Sequence, residues 1–485
     1  MEAENKTYLE LTGLITLVFA SFVGVLLIDN LWLKLVLLFV WSWLALAVWF
    51  VVRPAALPRQ LLTVLLFVFI GSTFLNQEIL SLRIGMMTLF IYRLVLAVCT
   101  LYFVYALLRG QWLRQTIQRS PVRAYLLFFV IWGFYGAGSL IWSASINEAF
   151  KYLLLLATGL VFVLFAALVL PNWRSLKWFH SIWLIMTALL LLIGLINVMG
   201  HIQLPTSSLY QGPAYKLMYP TAVFTNQNDF ATLLAISFFF FLAYTMDKKQ
   251  FMLKLGGLIG TGLSLVLVVL AESRASEIGI AAGLACFLFL SIAPQFRRRI
   301  AIACGLVALA GCLLLSGTLL SKAAHYATVE TNYSINDLPA SNIVRMHLLE
   351  STADYLADSF GFGTGAGNLS YALANQPVYN TNHIFEAHNW LAEITGTFGI
   401  FIGAGYLIIY LALFRSLYYY ARPLPPHTKG MLLRSALCAQ VSFLFSSISP
   451  SSVSNLYFQW LFLGFLIALL ACLRKQAQAS YSGGL

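Results

Sequence analysis

Arg274 lies in Ala271-Glu272-Ser273-Arg274-Ala275-Ser276-Glu277, a polar turn with long apolar runs on both sides. An arginine set between such runs is costly unless it is paired. It can pair with Glu272 or Glu277, or it can hold a diphosphate, whose oxygens match the guanidinium fork. Arg345 offers a similar choice. It is either a solvated helix residue beside Glu350 or Asp354, or a second phosphate ligand near the positive end of a helix. His388 precedes Asn389 and the apolar run that opens at Trp390. The positive end of that helix disfavours imidazolium, which leaves a neutral ring able to take a proton. The plainer reading is an interfacial histidine bonded to Glu386 or to backbone. Two cations and a neutral base suit attack by an acceptor hydroxyl on a sugar carried by a diphosphate, where the electrostatic task is stabilising the departing phosphate charge.

Further polar side chains fall in the same stretches. Lys216, Asn226, Asn228, Asn368, Glu386 and Asn389 are the candidate substrate-binding groups. His201, His325, His347 and His383 read as structural. Gly361-Phe362-Gly363-Thr364-Gly365-Ala366-Gly367-Asn368 has glycine at every second position. These glycines are either turns after a helix cap or a place where backbone N–H groups approach an anion. No Gly-Lys-Ser/Thr follows, so this is no Walker loop. No close aspartate pair or ligand set marks a metal site, and no Ser-His-Asp arrangement is recognisable. The six cysteines all fall within apolar runs and read as packing residues, with no disulfide framework.

The elements that must position these residues are membrane helices. The chain has 485 residues, 60% hydrophobic and 9% charged, with a mean hydropathy of +0.84. A soluble domain cannot hide that much apolar surface. A span needs about 20 apolar residues, and unbroken runs such as Leu160 to Leu170 exclude the alternating pattern of an outer-membrane barrel. The predicted fold is an all-α polytopic membrane protein, residues 1–485 forming a single integral membrane domain. Its fourteen or so spans fall at 8–28, 31–52, 60–76, 91–108, 124–142, 150–170, 178–199, 230–246, 252–271, 276–293, 300–320, 390–414, 430–447 and 455–473. The first lacks a basic start and a clear cleavage site, so it is kept as a span.

The net charge of +12 sorts by side. On this topology 21 of the 29 Lys and Arg lie at the cytoplasmic ends, with only four of the 17 acids. Every second loop is basic, as the positive-inside rule requires, and both termini are cytoplasmic. The charge orients the protein and argues against nucleic-acid binding. Only eight basic residues face outward, among them Lys216, Arg274 and Arg345, against thirteen acids.

Most loops are short. Residues 77–90 are mixed and predicted to lie along the interface. Residues 200–229 carry Lys216, Tyr219 and the run Thr225-Asn226-Gln227-Asn228-Asp229. Residues 321–389, between spans 11 and 12, form by far the longest loop, and a loop of that length with its own structure is usually functional. Within it an amphipathic helix is predicted from about Asn342 to Phe360, capped by Ser341 and ended by Gly361 as its C′ residue. Ile343, Met346, Leu349, Ala353, Leu356 and Phe360 are expected on the buried face, with Glu350, Asp354 and Asp358 as an acidic stripe. No internal repeat of the transporter kind is found.

These motifs in this order resemble the O-antigen ligase and O-antigen polymerase superfamily of membrane glycosyltransferases. The residues that carry the likeness are Phe224 to Asp229, Ser273-Arg274-Ala275-Ser276, Asn342-Ile343-Val344-Arg345, Gly361 to Asn368, and His388-Asn389 followed by Gly396 and Gly399. Length and span count are similar to the teichuronic acid polymerase branch. The resemblance implies a GT-C-type fold and a site on the outer side of the cell membrane. It implies metal-independent, inverting transfer of a glycan from an undecaprenyl diphosphate donor, with no cofactor. Arg274 would bind the diphosphate, His388 would activate the acceptor, and Arg345 matches the family's loop arginine. A flippase and a chain-length regulator are the implied protein partners. Polymerases that join repeat units and ligases that move a finished glycan to a lipid core or peptidoglycan share these motifs. A lipid-linked oligosaccharide flippase is the reading from another class. It would show short loops, related halves and mid-span charges, and this chain has one long loop and few such charges.

Overall fold

The computed structural model describes residues 59–74, 81–84, 87–109, 111–293, 295–303, 305–306, 310, 341–422, 428–452 and 456–482. The predicted spans 8–28 and 31–52, and most of 300–320, lie outside these residues, as do residues 321–340 of the long loop. The described residues fall into two compact units. In the first, α1 (Arg59–Thr73, which belongs to this unit as far as Phe69) and α2 (Ile91–Arg109) meet through an edge-on pair, Phe69 and Tyr92, with ring centroids 6.4 Å apart. Between them β1 (Ser81–Ile84) and β2 (Met87–Phe90) form an antiparallel hairpin with Leu82 opposite Leu89. Pairing of the two strands satisfies backbone groups that an extended interfacial segment would leave to solvent.

The second unit, Ile70–Asn76 together with residue 114 onward, carries the chemistry-bearing residues. Its helices are α3 (Gln111–Gln118, which begins just before it), α4 (Arg123–Gly138), α5 (Ile146–Val169), α6 (Trp173–Gly200), α7 (Gln227–Asp247), α8 (Phe251–Leu270), α9 (Arg274–Ser291), α10 (Ser341–Asp358), α11 (Asn368–Asn375), α12 (Trp390–Ala421), α13 (Thr428–Ser446) and α14 (Tyr457–Ser482). Among the described residues, eight helices are long and apolar enough to cross a membrane, and 62–73, 92–105 and 430–446 are shorter apolar helices. The chain is therefore a multi-pass membrane protein.

Helix packing follows membrane rules, in which small residues let backbones approach. On α9, Gly279 and Gly283 face α13. A Cβ at Gly279 would lie 2.6 Å from the Ser442 carbonyl oxygen, and one at Gly283 would lie 2.8 Å from that of Cys438. The other walls are aromatic. Trp132, Trp390 and Trp460 sit with ring centroids 5.4 to 5.7 Å apart along the chain Trp132–Trp460–Trp390, and Phe443 stands edge-on to Trp390 at 5.6 Å. From Tyr457 to Leu473 helix α14 is apolar on almost all sides and buried, as such a stretch must be when protein surrounds it. Cys99, Cys286, Cys438 and Cys472 are free thiols within the packing.

Helix α10 ends one residue earlier than its glycine suggests. Phe360 takes the left-handed conformation at φ +53°, and Gly361 follows at +81°. The Phe360 N–H donates to Ala357 and the Gly361 N–H to Leu356, the paired bonds of a Schellman cap. The buried face is also rotated from the predicted one. Val344, Leu348 and Tyr355 pack with Leu369, Ala372, Leu373 and Ala387, whereas Leu349 is 43% exposed and Phe360 92%. The true stripe passes through His347, Ser351 and Thr352, whose polarity hides it from a hydropathy count. His347 Nδ1 bonds the Asn380 carbonyl at 2.6 Å and Thr352 bonds that of Leu348 at 2.6 Å, so both are buried without leaving those groups unpaired.

The alternating glycines brace a broken helix. Helix α12 is interrupted at Gly399, whose φ of 81° and ψ of 175° no helix allows. The interruption strands the carbonyls of Gly396 and Thr397 and the N–H of Ile400. In a bilayer each such group costs several kcal/mol if left unpaired. The Thr364 and Gly365 N–H groups donate to Gly396 and Thr397 at 2.8 and 3.0 Å, and the Ile400 N–H donates to the Gly361 carbonyl at 2.9 Å. A Cβ at Gly363 would come within 2.7 Å of the Thr397 oxygen. The Gly363 and Ala366 N–H groups go to the hydroxyls of Ser359 and Ser139. The run is therefore a close-packed backbone brace, with these N–H groups already spent on protein acceptors.

Candidate functional site

Arg274 opens α9 immediately after a turn so short that Glu272 is held at φ +52°. Ser273 is buried at the helix start and bonds Ser276 Oγ at 3.1 Å. Glu272 lies close enough to the Tyr219 hydroxyl of the 200–229 segment to raise its pKa, after the larger effect of burial. Among the described residues Arg274 forms no ion pair with Glu272 or Glu277; the pairs present are Lys151 with Glu148 and Lys248 with Asp247. The guanidinium is exposed.

Arg345 stands in the first two turns of α10 and is half-buried. Burial pulls its pKa down, and the charge of Arg274 nearby pulls it down further. Two guanidinium groups thus repel each other with no carboxylate in an ion pair with either among the described residues. A polyvalent anion between them would relieve that repulsion.

His388 is held at φ +47°, an uncommon backbone for a residue with a Cβ. Three contacts, at the residue itself and at the two that follow, hold it there. Asn389 caps α12 by accepting from the Ala392 N–H at 3.0 Å, the Trp390 N–H donates to Ser447 O at 3.0 Å, and His388 Nδ1 lies 3.3 Å from Ser449 O. A carbonyl only accepts, so Nδ1 carries the proton and Nε2 of the neutral ring keeps its lone pair. Burial lowers the imidazole pKa, the Ser449 bond raises it, and the Arg345 charge lowers it again. Arg274, Arg345 and His388 therefore lie within electrostatic reach of one another in the order 274–345–388.

The other candidates divide by what their polar atoms already do. Glu386 is half-buried and burial raises its pKa. Asn226 caps α7 by accepting from the Asn228 N–H at 2.8 Å. The Asn228 side chain makes no hydrogen bond among the described residues. Lys216 is exposed, its Nζ 5.8 Å from the Tyr215 ring centre. Asn368 is buried and fully engaged: Oδ1 accepts from the Ser145 N–H at 2.7 Å, and Nδ2 donates to Ala366 O at 2.8 Å and Ser145 O at 3.3 Å. It pins the glycine run to the start of α5.

One supporting element escaped the sequence reading. Residues Ser446 to Ser452, between α13 and α14, touch the site at every turn. Asp229, in the first turn of α7, accepts from the Ser451 N–H at 2.8 Å and its hydroxyl at 2.9 Å. Glu393, in the first turn of α12, accepts from Ser452 Oγ at 3.0 Å and Tyr152 OH at 2.9 Å. Both acids are buried. The signal was there: two acids at the mouths of apolar spans need partners, and the serine-rich stretch is the nearest polar supply.

Membrane-crossing helices, an imidazole and two guanidinium groups without ion pairs among the described residues define a class: a multi-pass membrane protein whose candidate site suits a phosphate-linked substrate. Residues 259–407, which hold Arg274, Arg345, the glycine run and His388, match the O-antigen ligase family model. The chain is also 39% identical over 422 residues to the teichuronic acid biosynthesis protein TuaE of Bacillus subtilis (strain 168), covering 87% of this chain and 86% of that one. The chain belongs to the O-antigen ligase family of membrane glycosyltransferases, which act as lipid-linked glycan polymerases or ligases.

Proposed function

We propose that this protein polymerises undecaprenyl-diphosphate-linked repeat units into a cell-surface polysaccharide of the teichuronic acid type, on the outer side of the cell membrane. The observation that carries this is the gathering of Arg274, Arg345 and His388 from three separate elements, with no ion pair to either arginine among the described residues. The choice of polymer rests on likeness to a teichuronic acid biosynthesis protein over most of both chains. The outer placement rests on the basic residues of alternate loops, with fourteen spans and cytoplasmic termini.

In this mechanism the two guanidinium groups hold the donor diphosphate. His388 Nε2 takes the proton of an acceptor hydroxyl as its oxygen bonds the anomeric carbon. The bond from that carbon to the diphosphate oxygen breaks with its electron pair. The charge that builds on the leaving oxygen is met by Arg274 and Arg345, so the step needs no metal ion. A single displacement inverts the anomeric centre. An apolar cavity of about 230 Å³ begins at Asn389 and runs past Leu391, Tyr406 and Phe443, which suits the first isoprene units of the donor lipid. Glu386 and Asn228 are proposed to bind sugar hydroxyls, and Lys216 to approach the donor from the 200–229 segment.

The test is a product assay with purified protein and a synthetic lipid-diphosphate repeat unit. A ladder of longer glycans and free undecaprenyl diphosphate, unchanged by EDTA, is the expected result. A strict metal requirement would overturn the mechanism. A single transfer to a foreign lipid or peptidoglycan acceptor, without a ladder, would make the protein a ligase.

A further inference from the structure

A second cavity lies away from the arginine pair, at the far end of α10. Its volume is about 550 Å³, within the range of roughly 300–1,000 Å³ usual for small-ligand sites. Trp142, Tyr355, Phe362 and Tyr371 line it, together with Asp358 and Gln376. Tyr355 and Asp358 follow Arg345 by ten and thirteen residues on the same helix. At 1.5 Å per residue they stand about 15–20 Å along the axis from it.

The lining has two parts. Trp142 and Phe362 keep 41% and 50% of their surface exposed, in a protein that buries aromatics readily elsewhere. The Trp142 N–H already donates to the Gly363 carbonyl at 3.0 Å, so its ring is fixed while part of it stays open. Beside these rings, the Asp358 carboxylate, the Tyr371 hydroxyl and the Gln376 amide make no hydrogen bond or ion pair among the described residues. Fixed aromatic rings beside free acceptors and donors match a pyranose, whose C–H faces are apolar and whose rim is hydroxyl. No Lys or Arg lines the cavity, and Asp358 would repel a carboxylate.

We propose that this cavity is a distal glycan subsite that holds a neutral sugar residue, hexose or N-acetylhexosamine, of the growing chain and rejects a uronate there. That the bound glycan is the growing chain rests on the polymerase reading; that the cavity binds neutral glycan does not. Its distance from Arg345 lets it hold a chain several units from the reacting carbon.

The test uses the full-length protein in detergent and lipid-free tetrasaccharides, one set neutral (hexose and N-acetylhexosamine) and one made of uronates. Saturation-transfer NMR should show binding of a neutral member and none of the uronates. Tyr371→Ala and Gln376→Ala, both outside the packed core, should each weaken binding about tenfold, equivalent to the loss of one good contact. Trp142→Phe keeps a ring and should bind while Trp142→Ala does not, with melting temperature reporting whether the fold survives. Absence of binding by every neutral member, equal binding of uronates, or unchanged binding in Tyr371→Ala and Gln376→Ala would each overturn the subsite. In the ladder assay the same two variants should shorten the products while the first addition stays within about twofold of wild type, since the diphosphate contacts are intact. Neutral glycan binding with no ladder in any form would leave the subsite standing and remove the polymerase reading.

Discussion

At the residue scale, the candidate site is set by charges that have no ion pair among the described residues. Arg274 and Arg345 repel each other, and Glu272, the nearest candidate partner of Arg274, is turned to Tyr219. Arg274→Ala should lower turnover by about 10²–10³-fold, the usual cost of losing one charge-stabilising group, with no change in melting temperature. Arg274→Lys should recover little, because an ammonium cannot grip two oxygens in a fixed fork. His388 gives a pH prediction of definite sign. Burial and the Arg345 charge lower its pKa, and only the neutral ring can take a proton. The acid limb of kcat/KM should therefore lie below the ordinary histidine value of about 6.5. Arg345→Met should move that limb toward higher pH, since it removes a nearby positive charge. A limb that stays put in this variant would separate Arg345 from His388.

At the element scale, two short segments do work that neither a span count nor a motif reveals. The glycine run closes the break in α12, and its backbone is closely packed. Gly363→Ala puts a Cβ into a left-handed residue against Thr397, and should destabilise the protein by about 1–3 kcal/mol or more. Gly256→Ala, where an added Cβ meets nothing, should leave stability unchanged or raise it slightly. A thermal-shift comparison of the pair separates packing from general intolerance. The Ser446–Ser452 segment positions His388 through Ser449 and is itself held by Asp229 and Glu393. Asp229→Ala should lower kcat by up to about 10²-fold through misplaced geometry and leave donor KM near its wild-type value. It should also shift the acid limb of the pH profile, which loss of packing alone would not do. Much of this was legible in the sequence: a polar turn, a loop helix and a capped span opening at His388. The buried face of α10 was not, because polar residues, His347 and Thr352 among them paired to backbone, fill its middle.

At the scale of the whole molecule, the orientation proposed from the charge asymmetry can be checked directly. Single cysteines placed at Lys216 and Lys249 in a cysteine-free background should label oppositely with a membrane-impermeant reagent on intact cells. Position 216 should react from outside, and position 249 only after the membrane is opened. The reverse result would place the arginine pair on the cytoplasmic side and exclude the outer-face mechanism. The aromatic centre formed by Trp132, Trp390 and Trp460 explains how the site can be precise at a membrane surface. It anchors α12 two residues after His388, so the histidine adjoins a buried aromatic core.

The sequence by itself determined the membrane class, and the residue types of the candidate site and their order along the chain are read from it. Apolar runs and charge placement depend only on the side chains and the solvent, so they can be read without coordinates. Only the tertiary structure decided which polar groups were already spent. Asn368 and the glycine backbone look available in the sequence, but they are consumed by Ser145 and by the broken helix. Arg274 and Arg345, with nearby acids to choose from, are left without an ion pair among the described residues. Hydrogen bonds join residues distant in the chain, so which groups remain free for a ligand is a property of the fold.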